Sequence, residues 1–125
     1  MKKELKTDNA PKAIGPYSIA VETDGFIYTS GQLGLNPVSG KLVSDDIEAQ
    51  TTQVMKNLQA ILATVNLTFD SVIKTTIFCV NLVDFPKINK VYGSFLKEPF
   101  PARSTIQVAA LPLGGLIEIE MVAKK

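Results

Sequence analysis

The chain has 125 residues, of which 46% are apolar and 20% charged, and its formal net charge is +1. This length predicts one domain, residues 1–125, that buries a core of its own, and the near-neutral charge gives little attraction for nucleic acid. The sequence contains no histidine, which excludes Ser-His-Asp and Cys-His catalysis and most zinc sites. Chemistry in this chain must therefore use Arg, Glu, Tyr, Ser, Thr, backbone groups and water, and we expect no metal site.

The first half predicts a β-hairpin. Residues 1–10 are polar and favour either a frayed end or a short edge strand, and 18–22 read as a strand. Asp24-Gly25 is a two-residue hairpin signal, and the return strand, 26–30, is rich in aromatic and β-branched residues. Residues 41–43 allow a short third strand before the first helix.

The first helix has the clearest pattern. It begins at Asp45 or Asp46, and Asp45 with Glu48 has the spacing of a capping box. Asn66 is a plausible left-handed residue at its end. The apolar stripe recurs at helical spacing: Ile47, Thr51, Val54, Met55, Leu58, Ile61, Leu62 and Val65. The polar side is predicted to comprise Gln50, Gln53, Lys56, Asn57 and Gln59.

The second half predicts a strand over 71–82, a helix begun by Asp84 and stopped by Pro99, and strands over 104–109 and 116–123. The apolar residues of the first of these strands fall on both faces, which indicates burial on both sides. Ile73, Ile77 and Cys79 are assigned to one face, and Phe78 and Val80 to the other.

The predicted order, β-β-(β)-α-β-α-β-β, indicates an α+β domain with helices on one face of a mixed sheet. Two helices cover only one face of about six strands. We therefore expect an oligomer that buries the bare face between subunits.

Three positions are candidates for chemistry. Arg103 follows Pro101 at the entrance of a strand, where its rigidly placed guanidinium matches a small carboxylate. Ser30 and Gly31 offer a hydroxyl and a backbone N–H at a strand end, and Glu118 is a strand carboxylate suited to a base or a water-orienting role. Each also fits a purely structural role, and Glu120 on the same face competes with Glu118.

The remaining candidates are Tyr17 and Cys79. Tyr17 follows Gly-Pro, where it either binds a ligand or packs. Cys79, the only cysteine, reads as a small buried hydrophobe. One cysteine permits no intrachain disulfide, and the sequence shows neither a secretory signal nor an apolar run of membrane-spanning length. We therefore expect a cytoplasmic protein.

The chain as a whole resembles the YjgF/Rid family, the reactive-intermediate deaminases also called RutC-like or L-PSP proteins. The resemblance rests on these stretches: 10–18 (APKAIGPYS), 28–32 (YTSGQ), 70–78 (DSVIKTTIF), 85–92 (FPKINKVY), 100–104 (FPARS), 108–112 (VAALP) and 117–120 (IEIE).

The resemblance implies a chorismate-mutase-like fold and a homotrimer with clefts between subunits. It implies hydrolysis of 2-imino acids and their enamine tautomers, such as 2-iminobutanoate and 2-iminopropanoate, to 2-keto acids and ammonia without a cofactor. It assigns Arg103 to the substrate carboxylate, Glu118 to the water or proton step, and Tyr17, Ser30, Gly31 and Asn89 to the cleft wall. Thr105 is also assigned to substrate binding; it stands where many members carry cysteine, which puts cysteine-dependent chemistry and substrate preference in question.

Two other functions stay open. A non-catalytic sensor of 2-keto acids needs Arg103 but not Glu118. A ribonuclease or translation inhibitor, an activity also ascribed to relatives, fits poorly with the near-neutral charge and the lack of an aromatic and basic surface.

Overall fold

The computed structural model describes all 125 residues, which form one seven-stranded sheet and two α-helices. The elements are β1 (Lys3–Leu5), β2 (Ala20–Thr23), β3 (Phe26–Thr29), β4 (Gln32–Leu33), α1 (Ile47–Ala63), β5 (Val72–Cys79), α2 (Phe85–Ser94), β6 (Ala102–Gln107) and β7 (Ile117–Lys124). The strand order is β1-β2-β3-β7-β5-β6, and β4 pairs with β7 beside β3. Only β5 and β6 are parallel. This arrangement confirms the α+β class with a mixed sheet and two helices.

The core lies between the helices and one face of the sheet. In β7 the residues alternate as predicted: Ile117, Ile119 and Met121 are buried, whereas Glu118 and Glu120 point to the other face. Both helices contribute to the same cluster of 21 buried residues. Neither helix is long and apolar enough to cross a membrane.

Helix α1 begins as the sequence indicated, with one of the two candidate caps. Asp46 is the N-cap, and its Oδ2 accepts the backbone N–H of Ala49 at 2.8 Å. The prediction of an Asp45–Glu48 capping box is wrong, because the Glu48 carboxylate instead forms an ion pair with Lys90 of α2 at 3.1 Å. Asn66 has φ 59°, the left-handed conformation predicted for it.

Two residues assigned to the polar side of α1 are buried instead. Gln50 and Asn57 are both 0% exposed. The Gln50 side chain donates to the Ser44 carbonyl and accepts from the N–H of Leu116, and Asn57 donates to the carbonyls of Leu33 and Leu35. These bonds give both buried side chains partners among backbone groups that lie far from them in the sequence. They fix β4 and its following loop against the helix.

The sequence analysis did not predict the short strand β4, which follows Gly31. Gln32–Leu33 pairs with β7, although its flanking glycines suggested a turn. Gly34 is required there, since an added Cβ would lie 2.9 Å from the backbone of Gln50. Residues 41–43 form no strand, and only an isolated Leu35–Leu42 bridge marks the segment.

The predicted elements of the second half are all present, although α2 ends at Ser94 rather than at Pro99 and β6 begins at Ala102 rather than at Ser104. Two residue assignments also need correction. Ile73 was assigned to the face of Ile77, but a register shift between Val72 and Lys74 turns Ile73 outward, where it is 47% exposed. Asp84 occupies the N-cap position of α2 but makes no side-chain capping bond. The polar residues 1–10 include β1, the short edge strand that the sequence allowed.

Candidate functional site

Two separate cavities contain most of the predicted site residues. The Glu118 cavity, about 340 Å³, includes Tyr17, Ser30, Gly31 and Glu118 in its wall. The Arg103 cavity, about 310 Å³, is lined by Asn89, Tyr92, Gly93, Phe100, Pro101 and Arg103. No single cavity of the chain brings Arg103 and Glu118 together.

The Arg103 guanidinium is held by α2. Arg103 lies in β6 opposite Thr75 of β5, on the sheet face that α2 covers. Its Nη1 donates to Asn89 Oδ1 at 2.7 Å. The guanidinium carbon lies 5.3 Å from the ring centroid of Phe85 and 5.3 Å from that of Tyr92, within cation–π range. One amide and two aromatic rings therefore fix the orientation of the cation.

The Tyr92 ring is itself anchored. Its hydroxyl lies 2.8 Å from Thr75 Oγ1 in a buried hydrogen bond, and Tyr92 is only 5% exposed. Burial raises the pKa of the Tyr92 phenol, against smaller opposing effects of the Thr75 hydrogen bond and the Arg103 charge. The phenol therefore stays protonated at neutral pH and keeps the ring neutral.

No acidic side chain neutralises Arg103. None of the four ion pairs of the chain includes it, and its only side-chain hydrogen-bond partner is the neutral amide of Asn89. Half-buried beside a cavity, the guanidinium keeps free N–H donors for an anion.

Glu118 lies against Gly31 on the opposite sheet face. An added Cβ on Gly31 would be 2.5 Å from Glu118 Cδ and 2.9 Å from its Oε1. Only glycine permits this approach. Desolvation by burial, and secondarily the charge of Glu120, raise the pKa of the Glu118 carboxyl above its ordinary value. Glu120 is exposed and lines neither cavity, which favours Glu118 over its competitor.

Ser30 and Tyr17 complete the polar part of the Glu118 cavity. The Ser30 hydroxyl donates to the Ser18 carbonyl at 2.6 Å, so its oxygen can serve a ligand only as an acceptor. Tyr17 is 46% exposed, and its hydroxyl accepts the N–H of Ile14 at 3.4 Å. The Tyr17 O–H therefore remains available as a donor.

Thr105 differs from the other predicted site residues. It lies two residues after Arg103 on the same side of β6 but in neither cavity wall. Its Oγ1 is the only buried side-chain nitrogen or oxygen without a hydrogen-bond partner. A buried hydroxyl without a hydrogen-bond partner is energetically unfavourable. Thr105 therefore has an unsatisfied O–H group two residues from Arg103.

The sequence reading missed the residues that surround the predicted ones. Phe85, Tyr92 and Thr75 were assigned only to core or strand positions, although the helical spacing of Phe85, Asn89 and Tyr92 already places them on one face of α2. Leu113, in the 3-10 turn Pro112–Gly114, lines the Glu118 cavity and carried no recognisable signal.

Together, the mixed sheet with two helices, the free guanidinium and the half-buried carboxyl define a small α+β protein equipped to bind an anionic metabolite. A family model described as Endoribonuclease L-PSP matches residues 7–125. The chain belongs to this family, which confirms the YjgF/Rid resemblance of its motifs.

Individual relatives are similar over nearly the whole chain. AldR of Lactococcus lactis, named as a candidate regulator, is 50% identical over 98% of this chain and 97% of its own. The 2-iminobutanoate/2-iminopropanoate deaminase of Homo sapiens is 46% identical over 98% of this chain and 90% of its own. The crystal structure of YyfA from Yersinia pestis, described as a Rid-family protein, is 48% identical, with a TM-score of 0.97 and full coverage of both chains.

Proposed function

We propose that this protein hydrolyses 2-imino acids, including 2-iminobutanoate and 2-iminopropanoate, to 2-keto acids and ammonia. The observation that carries the proposal is the Arg103 guanidinium, oriented by Asn89 and two rings yet free of any acidic partner. The substrate class follows from the similarity to named deaminases, of which the human protein is 46% identical.

The reaction needs two kinds of group. A protonated 2-imino acid carries one carboxylate, which Arg103 binds through its paired N–H groups. Water adds to the electrophilic imine carbon and loses a proton to the Glu118 carboxylate, forming a carbinolamine. Glu118 returns that proton to the nitrogen and then takes the hydroxyl proton as the C–N bond breaks, so that a keto acid and ammonia form. The ammonia takes up the proton from Glu118 and leaves as ammonium. The raised pKa of Glu118 makes its carboxylate a stronger base than an exposed glutamate, which suits a group that takes and then returns a proton.

We infer that the two groups come from different subunits. Glu118 lies on the open sheet face, whereas Arg103 lies on the face covered by α2. One substrate of a few atoms does not reach both within one chain. We therefore assign each active site to the Glu118 cavity of one subunit and the Arg103 cavity of a neighbour, with Thr105 beside the clamp, in a homotrimer.

The uncovered sheet face supports this assembly. Tyr28 and Ile106 on that face are 44% and 46% exposed, and Phe78 between their strands is only half-buried. A ring of subunits would remove these apolar surfaces from water. The unpaired, buried Cys79 fits the proposed cytoplasmic location.

A coupled assay tests the activity. Threonine dehydratase generates 2-iminobutanoate in situ, and formation of the keto acid is followed with wild type, Arg103→Ala and no added protein. We expect acceleration by wild type alone. Absence of acceleration by wild type would contradict the deaminase and favour a sensor, the reading suggested by the name of AldR; binding of 2-ketobutanoate would then be measured.

Mixing inactive variants tests the shared site. Arg103→Ala and Glu118→Gln subunits are unfolded together and refolded as mixed oligomers. If each site uses one residue from each of two neighbours, about a quarter of the sites in a closed ring are intact at equal mixing. Mixed oligomers with no activity would place both groups on one subunit. Each variant refolded alone is the control.

A further inference from the structure

The Glu118 cavity has an apolar side that the proposed chemistry does not use. Besides the polar groups, its wall includes the apolar side chains of Ile14, Leu35 and Leu113. Ile14 is 75% exposed and Leu113 is 57% exposed. Large apolar side chains exposed around one concave site mark a surface that binds something apolar.

Leu113 is also held in an unfavourable backbone conformation. Its φ is 59° and its ψ is 19°, in the left-handed region. The other non-glycine residues with positive φ are Asp24 and Asn66, the residue types that tolerate this conformation through local hydrogen bonds. Leucine has no such compensation. A strained residue that persists beside a site is a reason to look for a role in that site.

A 2-imino acid has three parts to be bound, given the function proposed above. Its carboxylate goes to Arg103 of the neighbouring subunit, and its imine goes to Glu118. The remaining part is the alkyl substituent on the imine carbon, which gains from burial against apolar groups. The apolar side of the Glu118 cavity is the part of the site that matches it.

From these observations we propose that Leu113 is a specificity-determining residue that contacts the alkyl substituent of the substrate. The 3-10 turn brings the Leu113 side chain into the wall of the Glu118 cavity, and the left-handed backbone of Leu113 is part of that turn. The site then favours 2-imino acids with aliphatic side chains, and a longer side chain gains more from Leu113 than a methyl group does.

The test compares two imines made in situ by an L-amino-acid oxidase. Alanine gives 2-iminopropanoate, with a methyl substituent, and leucine gives 2-imino-4-methylpentanoate, with an isobutyl substituent. Enzymatic hydrolysis is measured as reduced trapping of the imine by semicarbazide. The proteins are wild type, Leu113→Ala, Leu113→Gly and the control Val38→Ala, which truncates a 96%-exposed side chain that lines no cavity named here.

We expect both Leu113 variants to lose about tenfold in kcat/KM for the isobutyl imine and less than about twofold for the methyl imine, because each buried methylene contributes roughly fourfold. Val38→Ala should change neither value. Leu113→Gly should also unfold at a higher temperature than Leu113→Ala, since glycine adopts positive φ without strain.

Three results would overturn the inference. They are an unchanged ratio of the two substrates in the Leu113 variants, an equal loss on both substrates, or no difference in unfolding temperature between the glycine and alanine variants. A wild type that hydrolyses neither imine is a different outcome, because it rejects the proposed function itself.

Discussion

The Arg103 cavity and the Glu118 cavity hold their principal residues in opposite ways. The guanidinium of Arg103 is fixed by direct contacts from α2: one hydrogen bond and two aromatic rings. The carboxyl of Glu118 occupies space that is free only because Gly31 has no side chain, and it is partly buried there. Binding an anion needs a preorganised cation, whereas proton transfer needs a carboxyl with a shifted pKa. In the proposed mechanism this difference separates substrate binding from proton transfer, and substitutions at Arg103, Glu118, Gly31 and Tyr92 test that separation.

Removal of the cation should have the largest effect. We expect Arg103→Ala to lower kcat/KM by about a thousandfold, because the clamp on a small anion is lost, while the fold is kept. Arg103→Lys keeps the charge but not the planar fork, so an intermediate loss is expected. Steady-state kinetics and circular dichroism measure both. If the Arg103→Lys variant were fully active, the positive charge alone, and not the planar geometry of the guanidinium, would account for substrate binding.

Removal of the Glu118 carboxyl should mainly lower the turnover number. We expect Glu118→Gln to lower kcat by about a hundredfold, the range of general acid–base catalysis, with little change in the Kd of 2-ketobutanoate. Calorimetric titration gives the Kd and steady-state kinetics give kcat. Glu120→Gln is the matched control on the same strand face. A larger loss in the control would move the proton step to Glu120.

The same carboxyl predicts a pH dependence of stability. The pKa of Glu118 is raised in the folded state, so the folded protein binds this proton more tightly than the unfolded chain. The contribution of Glu118 to stability is therefore fully present below the unfolded-state pKa and is lost as pH rises through the folded-state value. Urea unfolding between about pH 4 and pH 7 should show a decline in wild type that Glu118→Gln lacks.

Gly31→Ala should disturb the carboxyl without removing it. The added Cβ would meet Glu118 Cδ at 2.5 Å, so the carboxyl must move. We expect kcat to fall by about tenfold, since misplacement of a catalytic group is costly. The double variant Gly31→Ala/Glu118→Asp, with a shorter acid, should be more stable than the sum of the single changes predicts. If the stability changes of the two single variants were additive, the Glu118 side chain would adopt another rotamer that avoids the added methyl group.

Tyr92→Phe should have the smallest effect, and only on the binding side. It keeps the ring but leaves Thr75 Oγ1 buried without a partner, which costs about 1 kcal/mol of stability. We expect KM to rise a few-fold with kcat nearly unchanged. In Thr75→Val/Tyr92→Phe both polar partners are absent, and stability should recover. A loss confined to kcat would show that the Arg103 cavity does not act through binding alone.

The sequence predicted what depends on local pattern. The alternation of Ile117, Glu118 and Ile119 gave both the strand and its buried face, and the apolar stripe gave α1. The sequence analysis was wrong where the burial of a residue depends on hydrogen-bond partners that are distant in the sequence. Gln50 and Asn57 looked solvent-exposed because nothing local shows that the carbonyls of Leu33, Leu35 and Ser44 and the N–H of Leu116 need partners.

The same limit applies to the site. Arg103 and Glu118 could be named from residue type and the resemblance, but their opposite faces become visible only once β6 is paired with β5 and α2 is packed against it. Leu113 shows the limit most clearly, because a left-handed leucine follows from the closure of a turn against the sheet and not from the preference of leucine.

The neutral surroundings of Arg103 also affect how the protein meets its substrate. A cation held by an amide and two rings, with no acidic partner, keeps an uncompensated positive charge. Anions are drawn toward such a charge, and dissolved salt shortens the range of that attraction to about 8 Å at physiological ionic strength. In the proposed reaction, capture of the carboxylate of a short-lived 2-imino acid thus depends on the ionic strength of the medium as well as on the protein.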